Sequence, residues 1–417
     1  MNTFLELTQQ EFDRQKNTLN LIASENFPSP TTLQLLGSVW SNKYGEGYPG
    51  KRYYAGNTYT DILEKKVQDL ALQVFDSTGE YSVNVQTLSG SPANGTIYMS
   101  MLETGDTILS LSLQEGGHLS HLHSTSVYNK FFNYINYHLR ETKSNDFELD
   151  LDNFEEQLKK HQPKLTIIGF SAYTKQFDFP QLIKLAHKYN SLVLADISHI
   201  SGLVATNLHS SPFGVGLDGA DFVTTTTHKT LRGPRGALLF AKHKYIDTIN
   251  KAIFPGLQGG PHFNKIAAVG NCLSEVLGDN QYPDKIGFQE YIKIVISNTK
   301  ALENSLQQNG VDIVSPTQNH LCLIKLPIDV DSLELQNQLE SLGIITNRNP
   351  IPKDIKSPWR PSGMRLGGAA LTSRGLQEGD FVELGRVIAK IIKGEFQKPK
   401  DQKTIQNLIQ KQNWYYK

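Results

Sequence analysis

Lys229 stands where a strand must turn. In VTTTTHKTLRGPRG (223–236) four threonines lead into His228 and Lys229, and a loop with two glycines, a proline and two arginines follows. β-Branched threonine suits a strand. A lysine at a strand end is ordinarily a solvated surface group. It becomes a Schiff-base lysine when partial burial lets its amine lose a proton and hold a carbonyl cofactor. An aldehyde cofactor such as pyridoxal phosphate then needs a carboxylate for its ring nitrogen, backbone N–H groups for its phosphate and a flat group against its ring. Asp196 ends an apolar run about one βα unit before Lys229, a spacing suited to neighbouring parallel strands. Taken alone, Asp196 reads as a helix cap. SGSPAN (89–94) offers a phosphate cradle: Gly90 allows close approach of the backbone, and Ser91 is placed to cap the helix while its hydroxyl meets the phosphate. It is not a Walker loop, because no GK[ST] follows. QGGP (258–261) is a second glycine pair able to bring N–H groups to an anion.

GGHLSHLH (116–123) carries three histidines. A zinc reading lacks cysteines and acids in ligand spacing, whereas His118 is placed to stack on an aromatic cofactor. KYGEGYPGKRYYAGN (43–57) gathers Tyr44, Glu46, Tyr48, Tyr53 and Tyr54 among glycines. It reads either as a turn-rich surface loop or as a store of acid/base and hydroxyl groups. Arg365, in PSGMRLGG, is one arginine in a small, apolar stretch, fit for a bidentate grip on a carboxylate or for a structural salt bridge.

The elements that must position these groups follow from periodicity. Residues 60–75, 89–103 and 179–190 have helical patterns, and 106–113, 165–173, 191–199, 220–229 and 236–242 read as strands. Strands alternating with helices predict an α/β fold with a parallel sheet buried on both faces, its ligand site past the carboxyl ends of the strands. Ser171, Asp196, His199, His228 and Lys229 all fall there. After about residue 280 a long amphipathic helix (289–310) and strands at 320–327 and 343–349 suggest a smaller α+β unit. The expected division is an arm (1–20), a large domain (21–280) and a small C-terminal domain (281–417). The Lys- and Gln-rich tail (393–417) reads as a solvated terminal helix, with a partner-binding arm as the alternative.

The chain has 417 residues, 41 Lys plus Arg against 41 Asp plus Glu, and two cysteines. Balanced charge gives no global argument for nucleic acid or an anionic membrane. Cys272 and Cys322 lie in no CxxC pattern and read as small core residues, without a disulfide or metal. No signal-like or membrane-spanning run is present, so a cytoplasmic protein is expected.

Together these residues resemble the serine hydroxymethyltransferase family of fold-type I pyridoxal-phosphate enzymes. The matching strings are LIASENF (21–27), NKYGEGYPGKRYYAGN (42–57), SGSPAN, GGHLSH, GFSAY (169–173), DISHISGLVA (196–205), TTTTHKTLRGPRG, FPGLQGGP (254–261) and SGMRLGG (362–368), in the family's order over almost the whole chain. The resemblance implies a large, mainly parallel seven-stranded sheet domain and a smaller C-terminal domain. It implies pyridoxal phosphate on Lys229, with Asp196 at the ring nitrogen, His118 on the ring, and Ser171 and His199 at the ring hydroxyl. Gly90, Ser91 and His228 would hold the phosphate, joined by Tyr44 and Gly260 from a second subunit. Arg365 and Ser24 would bind the carboxylate of serine or glycine near Tyr54, with Glu46 as acid/base. Arg235 and Thr226 would shape the pocket around Lys229. Leu113, Gly117, Leu119, Tyr53, Asn349 and Phe254 would contact tetrahydrofolate, the co-substrate. A site shared across an interface implies a homodimer, with a tetramer of such dimers left open.

The sequence departs from the family pattern at Gln114, Glu115, Leu122 with His123, Ser198, Gly368 and Ala369. Most of these positions gather on the folate side. Two other readings are therefore carried: a folate-independent β-hydroxy amino acid aldolase or transaldolase on the same scaffold, and a non-catalytic binding protein. Intact Lys229, Asp196, Glu46 and Arg365 argue against the second.

Overall fold

The computed structural model describes residues 3–121, 123, 125–144, 146–279 and 286–416. Seven strands form the central sheet: β1 (Tyr81–Asn84), β2 (Thr107–Leu111), β3 (Asn133–Tyr137), β4 (Leu165–Gly169), β5 (Leu192–Asp196), β6 (Phe222–Thr226) and β7 (Ala237–Lys242). Their order is β1-β7-β6-β5-β4-β2-β3. β7 runs antiparallel to both its neighbours, and the remaining pairs are parallel. The sheet is thus mainly parallel, as expected, with its one antiparallel strand at 237–242. No helix separates β6 from β7; a ten-residue loop joins them as a hairpin, and a hairpin partner must be antiparallel. β4 to β7 are nearly or wholly buried, which explains their unbroken apolar and threonine runs.

A second sheet comprises β8 (Asp312–Ile313), β9 (Leu321–Lys325), β10 (Asn347–Asn349) and β11 (Gly363–Gly367), all antiparallel in the order β8-β9-β11-β10. The expected strand at 343–349 splits. Ile344–Ile345 leaves this sheet to pair in parallel with Leu19–Asn20. The helix Phe288–Gln308 starts in the core of the large sheet and ends in the core of the small one. The expected boundary at 280/281 lies outside the described residues.

The tail is not simply a solvated helix. Lys400–Lys411 is helical, but Asp401, Ile405 and Leu408 are buried, and Asp401 accepts from Lys390 Nζ at 2.6 Å. Trp414 stacks edge-on to Phe12 at 5.0 Å, with the Arg374 guanidinium 4.8 Å from its ring. Buried Arg374 donates to Gln15 O at 2.8 Å. Residues 12–20 therefore pack on the C-terminal unit. Among the described residues no helix is long and apolar enough to cross a membrane.

Candidate active site

The carboxyl ends of β4, β5 and β6 and the start of the helix Gly90–Met101 surround a cavity of about 360 Å³. Each strand delivers one cluster: Ser171 past β4; Asp196, Ser198 and His199 at and past β5; Thr226, His228, Lys229 and Arg235 at and past β6. Gly90 and Ser91 enter from the helix start, His118 from the loop after β2, Ser24 from the N-terminal segment and Arg365 from β11.

The threonine run is shorter as a strand than its sequence suggests. β6 stops at Thr226, and Thr227 turns the chain: its N–H donates to Gly236 O at 3.1 Å and its hydroxyl to Pro234 O at 2.6 Å. Arg232 at φ +62° completes the loop. Lys229 is therefore carried on the loop, with its carbonyl held by Asn26 Nδ2 at 2.8 Å. Its side chain is buried. Burial pushes the Lys229 amine down to about 8; Asp196 opposes this, and Arg365 and Arg235 add to it.

Asp196 is buried and fully engaged. Its Oδ2 lies 2.9 Å from His121 Nε2 and accepts from Asn94 Nδ2 at 2.9 Å, while Oδ1 accepts from Ser198 N at 3.0 Å. Burial alone would raise its pKa. The hydrogen bond and charge of His121, together with the Lys229 charge, outweigh that and hold the carboxyl below its ordinary range. Asn94 is fixed in turn by Thr224, whose hydroxyl donates to Asn94 Oδ1 at 2.7 Å. His121 and Asn94 belong to the site but were not singled out from sequence. Their positions inside GGHLSH and SGSPAN were the available signal. His121 serves Asp196 and His118 Nδ1 meets Ser120 Oγ at 2.7 Å, so these histidines face different partners. Among the described residues no group of three or more His, Cys, Asp or Glu could hold a metal ion.

The helix start at Gly90 packs closely on β6. A Cβ at Gly90 would lie 2.8 Å from Thr226 Cγ2. The N-cap of this helix is Ser89, not Ser91 as expected, and its side chain makes no capping bond. The first N–H groups thus have no capping side chain. His228 Nδ1 is buried with no hydrogen-bond partner, and burial with the nearby Lys229 charge pushes the imidazole down to about 3, keeping it neutral. His118 is likewise held down to about 3, chiefly by burial. Arg365 donates to Ser171 O at 2.6 Å, and burial lowers it only to about 10, so it stays charged.

Several predicted residues are not brought to this cavity by the single chain. Tyr44 donates to Glu46 Oε1 at 2.8 Å, and its ring meets that of Tyr54 edge-on at 5.2 Å. A Cβ at Gly260 would lie 2.6 Å from Tyr44 Cε2. Tyr53 and Phe254 pair beside them at 5.8 Å. Tyr44, Tyr53 and Tyr54 are exposed. These residues form a second, surface cluster. The predicted folate contacts are also dispersed. Leu113 lines a smaller cavity of about 220 Å³ with Gln114, His118, His121 and His123. Leu119 is exposed, Gly117 is packed where a Cβ would meet Leu111 O at 2.2 Å, and Asn349 Nδ2 donates back to Pro350 O at 2.7 Å.

The departures have local partners. Glu115 Oε2 lies 3.0 Å from His138 Nδ1 and accepts from Leu139 N. Ser198 Oγ accepts from Thr226 N at 3.0 Å, tying β5 to β6. At Gly368 a Cβ would meet Thr299 Oγ1 at 2.2 Å, so a larger residue is excluded unless Thr299 moves. Ala369 O accepts from Tyr291 Oη at 3.3 Å. Leu122 lies outside the described residues.

Compared with known proteins, the chain matches the family model described as serine hydroxymethyltransferase over residues 2–388. A Desulfotalea psychrophila protein bearing the name serine hydroxymethyltransferase is 42% identical over 388 residues, covering 93% of this chain and 87% of that relative.

Proposed function

The chain belongs to the serine hydroxymethyltransferase family, and from that premise we propose how its own residues carry the family's reaction. That reaction is the reversible transfer of the serine hydroxymethyl group to tetrahydrofolate, giving glycine and 5,10-methylenetetrahydrofolate, with pyridoxal phosphate as cofactor. The observation that carries the assignment of residues is one cavity holding a buried lysine, a buried carboxylate and a helix start.

The residues fit the cofactor. An unpartnered buried polar atom costs about 1–3 kcal/mol, and His228 Nδ1 is such an atom beside a helix start with no capping side chain; a phosphate satisfies both. Asp196 stays anionic and so would hold a proton at the ring nitrogen. Neutral His118 offers a flat face. Pyridoxal phosphate, when bound, supplies an electron sink for the electron pair left at the substrate α-carbon.

Lys229 Nζ, poised near pH 8, would hold the cofactor through its aldehyde carbon, and as a free amine it would carry a proton within the cavity. Arg365 uses the donors left free by Ser171 to grip the substrate carboxylate, with Ser24 beside it. Ser171 and His199, which line the cavity, would lie toward the ring hydroxyl, and Thr226 and Arg235 bound the space around Lys229. Glu46 moves the proton of the substrate hydroxyl, with Tyr54 close to the substrate. Leu113, Gly117, Leu119, Tyr53, Asn349 and Phe254 receive the folate.

Glu46, Tyr44, Tyr54 and Gly260 lie together on the surface, which supports a homodimer in which this cluster completes the partner's cavity. Two buried free cysteines accord with a cytoplasmic location.

The test is turnover of serine by purified protein with pyridoxal phosphate. Glycine formation accelerated strongly by tetrahydrofolate is expected. Cleavage of threonine-like substrates, with a serine rate indifferent to folate, would instead select the folate-independent aldolase.

A further inference from the structure

Lys229 rides on a loop, and a side chain from the N-terminal segment grips that loop at the lysine itself. Asn26 Nδ2 donates to Lys229 O at 2.8 Å across 203 positions of sequence. Backbone partners fix which way this amide points. Asn26 Oδ1 accepts from Phe27 N at 2.9 Å. A backbone N–H can only donate and a backbone carbonyl can only accept, so the oxygen faces Phe27 and the nitrogen faces Lys229.

The same amide is joined to elements that follow the large sheet. Its Nδ2 also donates to Tyr291 Oη at 2.9 Å, and its Oδ1 accepts from Ser373 Oγ at 2.6 Å. Tyr291 and Ser373 are buried, and Tyr291 Oη donates to Ala369 O at 3.3 Å. The Tyr291 ring lies 4.2 Å from the Arg232 guanidinium, and Arg232 N donates to Lys229 O at 3.0 Å, closing the turn that carries the lysine. Asn26 thus stands where its own segment, the lysine loop and the helices Phe288–Gln308 and Ala369–Ser373 meet.

The lysine needs such a hold. The ladder between β6 and β7 ends at Thr226 and Ala237, short of Lys229. A lysine amine sits on a flexible stem, so where it reaches depends on how firmly its backbone is held. Ser24, two residues before Asn26, lines the same cavity. One short segment therefore holds the lysine backbone and supplies a wall of the site.

We propose that Asn26 is a positioning residue whose amide clamps the Lys229 backbone, so that Nζ meets the cofactor aldehyde at a fixed place in the cavity. This rests on the reading of that cavity as the cofactor site.

The experiment compares two ligands on cofactor-free protein. Pyridoxal phosphate, added to saturation, is joined through its aldehyde carbon as the Lys229 nitrogen replaces the aldehyde oxygen and water leaves; growth of the visible band gives the rate. Pyridoxine 5′-phosphate, an alcohol at that carbon, binds without joining, and its dissociation constant reports the cavity alone. Asn26→Ala should slow joining about threefold to tenfold, the worth of one hydrogen bond, and leave the constant for the alcohol within about twofold of wild type. Asn26→Asp keeps the acceptor for Phe27 N and Ser373 Oγ but turns an oxygen toward Lys229 O, and should slow joining at least as much. Ser373→Ala keeps the bond from Asn26 to Lys229 and should join at the wild-type rate. Unslowed joining in either Asn26 variant, a parallel loss of alcohol binding, or an equal slowing in Ser373→Ala overturns the proposal. The aspartate variant decides the matter if the alanine variant fails to fold. Failure of the cofactor-site reading shows separately, as a visible cofactor band that survives Lys229→Ala.

Discussion

His121 Nε2 sits 2.9 Å from Asp196 Oδ2 although the two residues reach the site from different strands. The carboxylate is thus oriented before any ligand arrives, and its charge is set by neighbours in the core.

Removing that neighbour should weaken the cofactor more than the fold. A hydrogen bond to a charged group is worth about 1.5–3 kcal/mol. His121→Phe should therefore raise the pyridoxal phosphate dissociation constant roughly tenfold to a hundredfold, read by absorbance titration. An unchanged constant would mean that Asn94 and Ser198 N suffice to hold Asp196.

Lys229 predicts a stability slope. Its folded pKa of about 8 lies below the ordinary 10.5. Between those values the unfolded chain binds more protons than the folded one, so stability rises with pH across the window. Below about pH 8 both states are protonated and the burial penalty is fully present, on the order of 3 kcal/mol. Cofactor-free Lys229→Met should therefore be more stable than cofactor-free wild type at pH 7 in urea, with the gap closing toward pH 10.5. A gap independent of pH would contradict the depressed amine.

Arg365 should separate substrate from cofactor. Truncating one member of a buried charge pair costs about 2–5 kcal/mol. Arg365→Ala should raise the serine KM at least roughly thirtyfold while leaving the cofactor constant within a few-fold. Arg365→Lys should recover little, since an ammonium lacks the fork. Equal loss of serine and cofactor binding would make Arg365 structural, a clamp on Ser171.

The surface cluster makes the dimer testable by complementation. Lys229→Ala and Glu46→Gln should each be nearly inactive. Denatured together in equal amounts and refolded, they should regain about a quarter of wild-type activity, because half of the dimers then carry one intact site. No recovery would place Glu46 and Lys229 of one chain in the same site.

Much of this was legible in the sequence where side chains of unusual type met strong periodicity. Strand ends after Leu165–Gly169 and Leu192–Asp196 announced Ser171, Asp196 and His199 as cavity residues, and the helix at Gly90 announced a further side of that cavity. The loop carrying Lys229 was harder, because threonine favours a strand locally and only the hydrogen bonds of Thr227 to Gly236 and Pro234 stop it. The antiparallel turn of Ala237–Lys242 depends on the absence of a crossover helix, which local pattern does not display. His320 lies far from the cavity residues in sequence and carries no motif of its own; only folding places it beside His199. The tail looked solvated because its lysines dominate its composition, while Trp414 and Leu408 decide where it packs.

The pairing of Leu19–Asn20 with Ile344–Ile345 has a bearing on biosynthesis. Residues 19 and 20 precede every strand of the large sheet, yet their partner strand is made only after that entire sheet. Leu19 and Leu21 are buried in a core made otherwise of residues 302–408, so their native cover is synthesised after them. The large sheet can form as a unit during translation, but the C-terminal core is completed after it, by recapture of a segment that precedes that sheet in the chain. That waiting apolar segment is the place where a chaperone would have most to do.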